Sequence, residues 1–491
     1  MTTHSSRSGA TLYVDLDGTL IHSDLLIESC LALLQKNALY LLLFPFWLMR
    51  GKAFLKQQVA RRTELRADLL PYDQRFIRFL REQRADGRSL VLISASDQRL
   101  VSAVASHLEL FDDALGSTPP VNLSGHRKQQ VIAGREGGRP YAYAANHNDD
   151  WPVWKDAAQI IAVNTGRRLV RRLADTGRLL GSFPPEHQAG RELIRAMRPH
   201  QWLKNLLLFL PLLLTSNLYT VELVIQTTLG FVSFSLCASS VYLTNDLLDL
   251  AADRQHHRKR LRPFASGTLT PFAGLIASPV LLIGAFIIAL FWLPTYFTVV
   301  LALYYLSTLL YSFLLKKVML VDVVTLAILY TLRIIAGAAA VPIIPSFWLM
   351  AFSMFTFMSL AIIKRYTELS WLQETGMPRT EGRGYLAKDL DMMAIFGSTS
   401  AFMAVLVFAL YINSDEIREQ YVTPEVLWFI CPVLLYLMSR IWLLAYRGEV
   451  HDDPLVFVLK DRISQIAAAL GAALLYLAHL DWREGVFQFI L

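Results

Sequence analysis

The sequence predicts two parts of unlike class: a soluble front domain mixing strands and helices over residues 1–185, and an all-α membrane bundle over 186–491. Three observations predict this. Up to about residue 200 the chain is charged and mixed, and beyond it long apolar runs dominate. A mean hydropathy of +0.38 with 54% hydrophobic residues is too apolar for one water-soluble globule of 491 residues, a length that itself implies several domains. An acidic and basic stretch at 245–267, NDLLDLAADRQHHRKRLRPFASG, stands directly behind an apolar run of more than twenty residues.

The front domain opens on MTTHSSRSGA and passes straight into the strand-like TLYVDLDG, so no secretory signal is expected and this domain should stay in the cytosol. VDLDGTL, residues 14–20, places acidic, apolar, acidic, Gly and Thr at the end of a buried strand. Residues 21–71 read as a small helical insert. Within it, 38–49 is ALYLLLFPFWLM, twelve residues and too short to span a bilayer. That run is either the core of the insert or a helix lying in the membrane interface, which its aromatics and the following Arg50, Lys52 and Lys56 also suit. SLVLISAS (89–96) is a second buried strand and carries Ser94; Lys128 follows in SGHRKQQ, and YAYAANHNDD (141–150) ends a third strand in acids. In this order the motifs resemble the haloacid dehalogenase (HAD) phosphohydrolases, over about residues 10–180. The resemblance implies a Rossmann-like α/β domain with the insert as cap. It implies Asp15 as the phosphoryl-accepting nucleophile, Asp17 as acid and base, and Ser94 and Lys128 on the phosphoryl group. Mg²⁺ would be held by Asp15, Asp17, Asn146 and Asp150. One departure is that Ala145-Asn146-His147 replaces the usual Gly-Asp-Ser or Gly-Asn-Ser, which removes a charge from the metal site.

In the second part a window of about 20 apolar residues finds nine spans, centred near Leu210, Phe234, Leu281, Leu303, Leu329, Phe355, Val405, Leu434 and Leu470. Loops after the even-numbered spans carry Arg254, Arg258, Lys259, Arg260, Arg262, Lys316, Lys317, Lys364, Arg365, Arg379, Arg383, Lys388, Arg447, Lys460 and Arg462; the opposite loops hold little beyond Arg418. Cytoplasmic loops carry the excess of Lys and Arg. The even loops and the N-terminus are therefore expected on the cytosolic side of a bacterial inner membrane, with the C-terminus outside. The net charge of +7 is then mostly topology and phosphate binding, and nucleic acid is not an expected partner, because no basic face with stacking aromatics is present. Cys30, Cys237 and Cys431 match no metal or disulfide spacing and read as packing residues.

All polar constellations of this part fall on that one side. Asn245, Asp249 and Asp253 step by four and share a helix face, and with Asp246 they offer the hard oxygens that suit Mg²⁺ carrying a diphosphate. RPHQWLKN (198–205), NDLLDLAADRQHHRKRLRP (245–263), YSFLLKK (311–317), DVVTLAILYTLRIIAGA (322–338), KRYTEL (364–369) and DPLVFVLKDR (453–462) together resemble the UbiA superfamily of intramembrane prenyltransferases, over roughly 190–491. They look most like its decaprenyl-phosphate phosphoribosyltransferase branch. That branch joins phosphoribosyl diphosphate to a polyprenyl phosphate and releases pyrophosphate. Ordinary members carry a second aspartate-rich motif where this chain has Lys364, Arg365 and Glu368, a poor metal site and a good phosphate clamp. The resemblance implies Asp246, Asp249 and Asp253 as catalytic metal ligands, with Asn245 weaker. Lys204, Lys259, Arg262, Lys316, Lys364 and Arg365 would orient phosphates, beside Asn205, Tyr311 and Glu368. Arg333 lies inside a span, where a charge is costly and usually functional; its alternative is an ion pair to Asp322 or Glu368. Two competing expectations stay open: transfer of a prenyl group from a prenyl diphosphate to an aromatic acceptor, and a degenerate, regulatory front domain.

Overall fold

The computed structural model describes the chain outside residues 1–8, 65, 215–219, 342, 377–383, 416, 418–420, 451–452 and 481–491. The charges expected of Arg379, Arg383 and Arg418 therefore lie outside the described residues. The chain divides into two compact units, Met1–Met197 with Tyr242–Val280, and Arg198–Val241 with Leu281–Leu491.

The first unit is built on six parallel strands: β1 (Leu12–Val14), β2 (Leu90–Asp97), β3 (Asp113–Ser117), β4 (Ala142–Ala145), β5 (Gln159–Val163) and β6 (Leu179–Phe183), in the order β3-β2-β1-β4-β5-β6. Every strand of β1 to β5 is rich in Val, Ile, Leu or Ala because a parallel sheet is covered on both faces. The period of two shows in β1 itself. Leu12 and Val14 enter one core with Phe76, Leu80 and Leu92, while Tyr13 enters the other with Ile93, Tyr143, Trp154 and Ile160. The registers Val14↔Leu92 and Val14↔Ala144 bring the carboxyl ends of β1, β2 and β4 together. The chain runs outward from β1 to β2 and β3 and then crosses back to β4 on the other side of β1, so the strand order reverses there, at the crevice where ligands of open α/β sheets bind.

The insert after β1 is helical: Leu25–Lys36 and Phe44–Met49, joined by the 3₁₀ turn Ala38–Leu42, and Lys52–Ala60, which follows after Arg50 and Gly51. Asp24 starts the first of these, its carboxylate accepting from the Ile27 amide at 2.9 Å. The segment Tyr242–Val280 packs within this same unit. Gly267 has φ +78°, and a Cβ there would lie 2.7 Å from the Pro71 Cβ and 2.9 Å from the His22 Cβ, so only glycine permits the approach.

In the second unit and the segment that joins it, seven helices among the described residues are long and apolar enough to cross a membrane: Val221–Leu248, Pro271–Trp292, Thr295–Phe313, Val321–Ala340, Phe347–Glu374, Ala387–Ile412 and Pro424–Tyr446. They match the second to eighth of the nine expected spans. The first expected span is instead a 3₁₀ stretch, Pro199–Phe209, followed by four α-helical residues, Leu210–Leu213. Pro199 begins the first of these pieces and Pro211 is the second residue of the other, and each ring fixes φ while removing an amide donor. The last, Arg462–Ala478, is α-helical but has only 17 residues. Val321–Ala340 is the most buried of the seven. Its small residues let neighbours come close, and a Cβ on Gly337 would sit 2.0 Å from the Leu208 carbonyl oxygen.

Candidate functional site

Three polar clusters hold the candidate residues. In the first unit, Asp15 follows β1 and is buried beside Lys128, which comes from the helix His126–Glu136. The Lys128 ammonium donates to Asp15 Oδ1 at 2.7 Å, to Asp150 Oδ1 at 3.1 Å and to the Tyr143 hydroxyl at 2.9 Å. Tyr143 in turn donates to Asp150 at 2.6 Å. Asp17 accepts from Ser94 Oγ at 3.0 Å, Ser96 Oγ at 2.7 Å and the Leu25 amide at 2.8 Å. Asn146 lies against Gly18, whose φ of +73° and closeness to the Asn146 amide leave no room for a side chain. Burial pushes the Asp15 carboxyl up to about 7, with Asp150 and Asp17 adding to it, against the pull of Lys128. The same two acids, Asp15 and Asp150, hold the Lys128 ammonium above its ordinary range although burial opposes this.

The second cluster, also in the first unit, lies at the end of helix Val221–Leu248 and in the short helix Leu250–Gln255. The Asp249 amide donates to the Asn245 carbonyl and the Asp253 amide to the Asp249 carbonyl, both at 2.8 Å, and these bonds carry the helical path across the break. The carboxylates that meet are Asp246 and Asp253, seven apart, both buried and both accepting from Arg262 Nη1, at 3.1 and 2.6 Å. Asn245 and Asp249 are half-buried, and Asp249 accepts from Gln35 Nε2 at 3.5 Å. Lys259 sits half-buried in the 3₁₀ turn Lys259–Leu261.

The third cluster is in the second unit. Arg333 donates to the Asn205 side-chain oxygen at 3.0 Å and to the Tyr304 hydroxyl at 3.2 Å, and its guanidinium lies 5.2 to 5.5 Å from the rings of Tyr304, Tyr330 and Phe234. The acids proposed as its alternative partners are engaged by Arg365, which donates to Asp322 at 2.7 Å and Glu368 at 2.5 Å, with Tyr311 at 3.3 Å. Lys204 and Lys364 both donate to Asp453 Oδ2, at 2.6 and 3.3 Å, and Tyr330 donates to the same carboxylate at 3.1 Å. These cations hold Asp453 well below the usual carboxylate range although its burial opposes this. Lys316 is half-buried in the turn Leu315–Lys317.

Reading the sequence alone missed Asp453, Tyr143 and Ser96. Asp453 and Ser96 stand in stretches that drew notice, DPLVFVLKDR and SLVLISAS, but pairing across the fold and not local spacing gives them partners. Among the described residues no three acidic, imidazole or thiol side chains gather as a metal cage. Mg²⁺ asks for less, one or two carboxylates with water and substrate phosphates. Asp15 with Asp150, and Asp246 with Asp253, each aim two carboxylate oxygens at one cationic nitrogen, a donor set that fits that ion.

The sequence pattern of the UbiA prenyltransferase family matches residues 207–460. The chain is 35% identical over 471 residues to the uncharacterized protein y4nM of Sinorhizobium fredii, covering 95% of this chain and 90% of that one. It is 35% identical over 283 residues to the nodulation protein NoeC of Azorhizobium caulinodans, covering 57% of this chain and 90% of that protein. With the decaprenyl-phosphate phosphoribosyltransferase of Mycolicibacterium smegmatis it shares 29% identity over 298 residues, covering 58% and 92%.

Proposed function

Because the chain belongs to the UbiA prenyltransferase family, we propose that its membrane part transfers 5-phosphoribose from phosphoribosyl diphosphate to a polyprenyl phosphate, and that its α/β domain then removes the 5-phosphate. The observation that carries this reading is the cation-rich cluster of the second unit. Lys204, Arg333, Lys364 and Arg365 stand with the three acids Asp322, Glu368 and Asp453, and Lys364 keeps its side chain 39% exposed. A donor with a 5-phosphate and an acceptor with a phosphate of its own bring charge that such a cluster meets. The likeness to phosphoribosyltransferases supports the same choice.

In this reading a lipid phosphate oxygen, already anionic, attacks the anomeric carbon as the bond to pyrophosphate breaks. Asp246 and Asp253, with Asp249 beside them in sequence, would hold Mg²⁺, which when bound offsets the charge that builds on the leaving group. Arg262 bridges the two buried acids and would turn to phosphate when they take the ion. Lys364 and Lys204 would fix phosphate oxygens. In the α/β domain the Asp15 carboxylate attacks phosphorus and the ribose oxygen leaves with a proton from Asp17. Water, giving its proton back to Asp17, then cleaves the aspartyl phosphate. Asp150 and Asn146 would complete that domain's metal site, and Ser94 and Lys128 would steady the phosphoryl group. We place both activities on the cytosolic side of a bacterial inner membrane.

Prenyl transfer to an aromatic acceptor is the second reading, favoured by the reaction for which the family is named. Incubating the purified chain and Mg²⁺ with labelled phosphoribosyl diphosphate and a short polyprenyl phosphate separates the two. Label in the lipid phase is expected. Prenylation of 4-hydroxybenzoate with no label in lipid would overturn the ribosyl reading.

A further inference from the structure

Residues 38–49 are not the core of the insert. The turn Ala38–Leu42 and the helix Phe44–Met49 contain no buried residue, and Leu42, Phe46 and Met49 are 65%, 65% and 85% exposed. Leu39, Leu41, Leu43 and Leu48 are exposed as well. The aromatic rings pack on one another instead of on a core: Trp47 lies 6.2 Å from Tyr40 and 6.0 Å from Phe44, with the Arg62 guanidinium 5.0 Å over its ring. So many neighbouring leucines left in water mark a surface that something covers.

Charge says what covers it. Residues 36–62 contain Lys36, Arg50, Lys52, Lys56, Arg61 and Arg62 and not one Asp or Glu. Twelve residues of helix reach only about 18 Å, well short of the roughly 30 Å of a hydrocarbon core, so this segment cannot cross. Aromatic and leucine side chains rimmed by cations are the composition of a segment lying flat among lipid headgroups. Among the described residues the chain also carries seven helices of membrane length, which would keep a bilayer close to this domain.

We propose that residues 38–49 are a monotopic anchor that seats the α/β domain on an anionic lipid bilayer, with Leu42, Phe46 and Met49 entering the acyl region and the exposed Arg50, Lys52 and Arg61 meeting the headgroups, while Lys56 turns inward to the Ala95 carbonyl and Asn122. The anchoring holds whichever group the membrane part transfers. It would give the carboxylate cluster around Asp15 access to phosphate esters carried on lipid rather than to soluble ones.

The test uses the full chain with Cys30 replaced by Ala and one new cysteine bearing an environment-sensitive NBD label, at Phe46→Cys or, as an exposed control, at Glu82→Cys. Each protein is placed one copy per nanodisc, in phosphatidylcholine with a quarter phosphatidylglycerol. The label at 46 is expected to be shifted to the blue, reduced by dithionite at least ten times more slowly than the label at 82, and quenched by lipids brominated in the acyl chain. Reduction at equal rates would overturn the proposal. So would protection without quenching by brominated lipid, which would mean that protein covers the patch. Equal protection in phosphatidylcholine alone would overturn the anionic part of it.

Discussion

A buried carboxylate needs a cation, and among the described residues the three candidate clusters supply one: Lys128 between Asp15 and Asp150, Arg262 between Asp246 and Asp253, and Lys204 with Lys364 on the single carboxylate of Asp453. The proposed metal role of the second cluster makes Asp253→Asn costly. Losing one charged ligand should lower transfer by about 10²–10³-fold, given the several kcal/mol that a metal contributes, while circular dichroism stays unchanged. Transfer above half the wild-type rate at saturating Mg²⁺ would remove Asp253 from the site. At Asp15 the raised pKa of about 7 sets a pH dependence. Protons and Mg²⁺ compete for the same carboxylate, so protonation below pH 7 opposes metal binding and ionisation above it favours it. The Mg²⁺ concentration giving half-maximal hydrolysis of a soluble phosphate ester should therefore fall from pH 6 to pH 8. A constant value across that range would disconnect Asp15 from the metal. Residue types were legible in the sequence because Asp, Lys and Arg in or beside apolar runs are expensive. Their pairing was less so. The step-of-four pattern selected Asn245, Asp249 and Asp253, whereas the bridge through Arg262 joins 246 to 253.

Elements carry a second layer of information. The seven long helices were readable from hydropathy alone, since a continuous apolar run of that length has few other uses. The run around Leu210 was equally apolar but holds Pro199 and Pro211, and hydropathy does not see that the chain there is 3₁₀. The β-strands were readable from their buried runs, but their order across the sheet was not, because it depends on contacts far apart in sequence. A contact of this kind joins helix Leu25–Lys36 to helix Leu250–Gln255. Arg254 donates to both oxygens of Glu28 at 2.8 and 2.6 Å, and both side chains are over nine-tenths buried. Removing one partner strands the other charge, so Glu28→Ala should cost roughly 3–5 kcal/mol, and replacing both residues by Met should recover most of it. Hydrogen exchange over residues 242–262 measures this. Exchange unaltered by Glu28→Ala would show that the pair does not hold the segment.

At the scale of the whole molecule, the two chemistries proposed for one chain make a claim about products. If the α/β domain acts on what the membrane part makes, Asp15→Asn should accumulate a ribosyl lipid that still carries its 5-phosphate, with total transfer unchanged. Thin-layer separation before and after mild phosphatase treatment reads this directly. Identical lipids from variant and wild type would leave the front domain a regulatory role, and the Ala145-Asn146-His147 departure would then look like decay. The placement of Tyr242–Val280 in the first compact unit has a practical side too. The chain leaves that unit at Met197 and comes back to it at Tyr242, so no single cleavage yields the unit whole. A fragment ending near residue 197 would lack Arg254 and bare Glu28, along with the faces of His22 and Pro71 that Gly267 covers. Its complement would begin life with Asp246 and Asp253 on a segment stripped of its support. Grafting either half onto another enzyme therefore requires rebuilding this seam, and shuffling the two as independent cassettes should give insoluble protein.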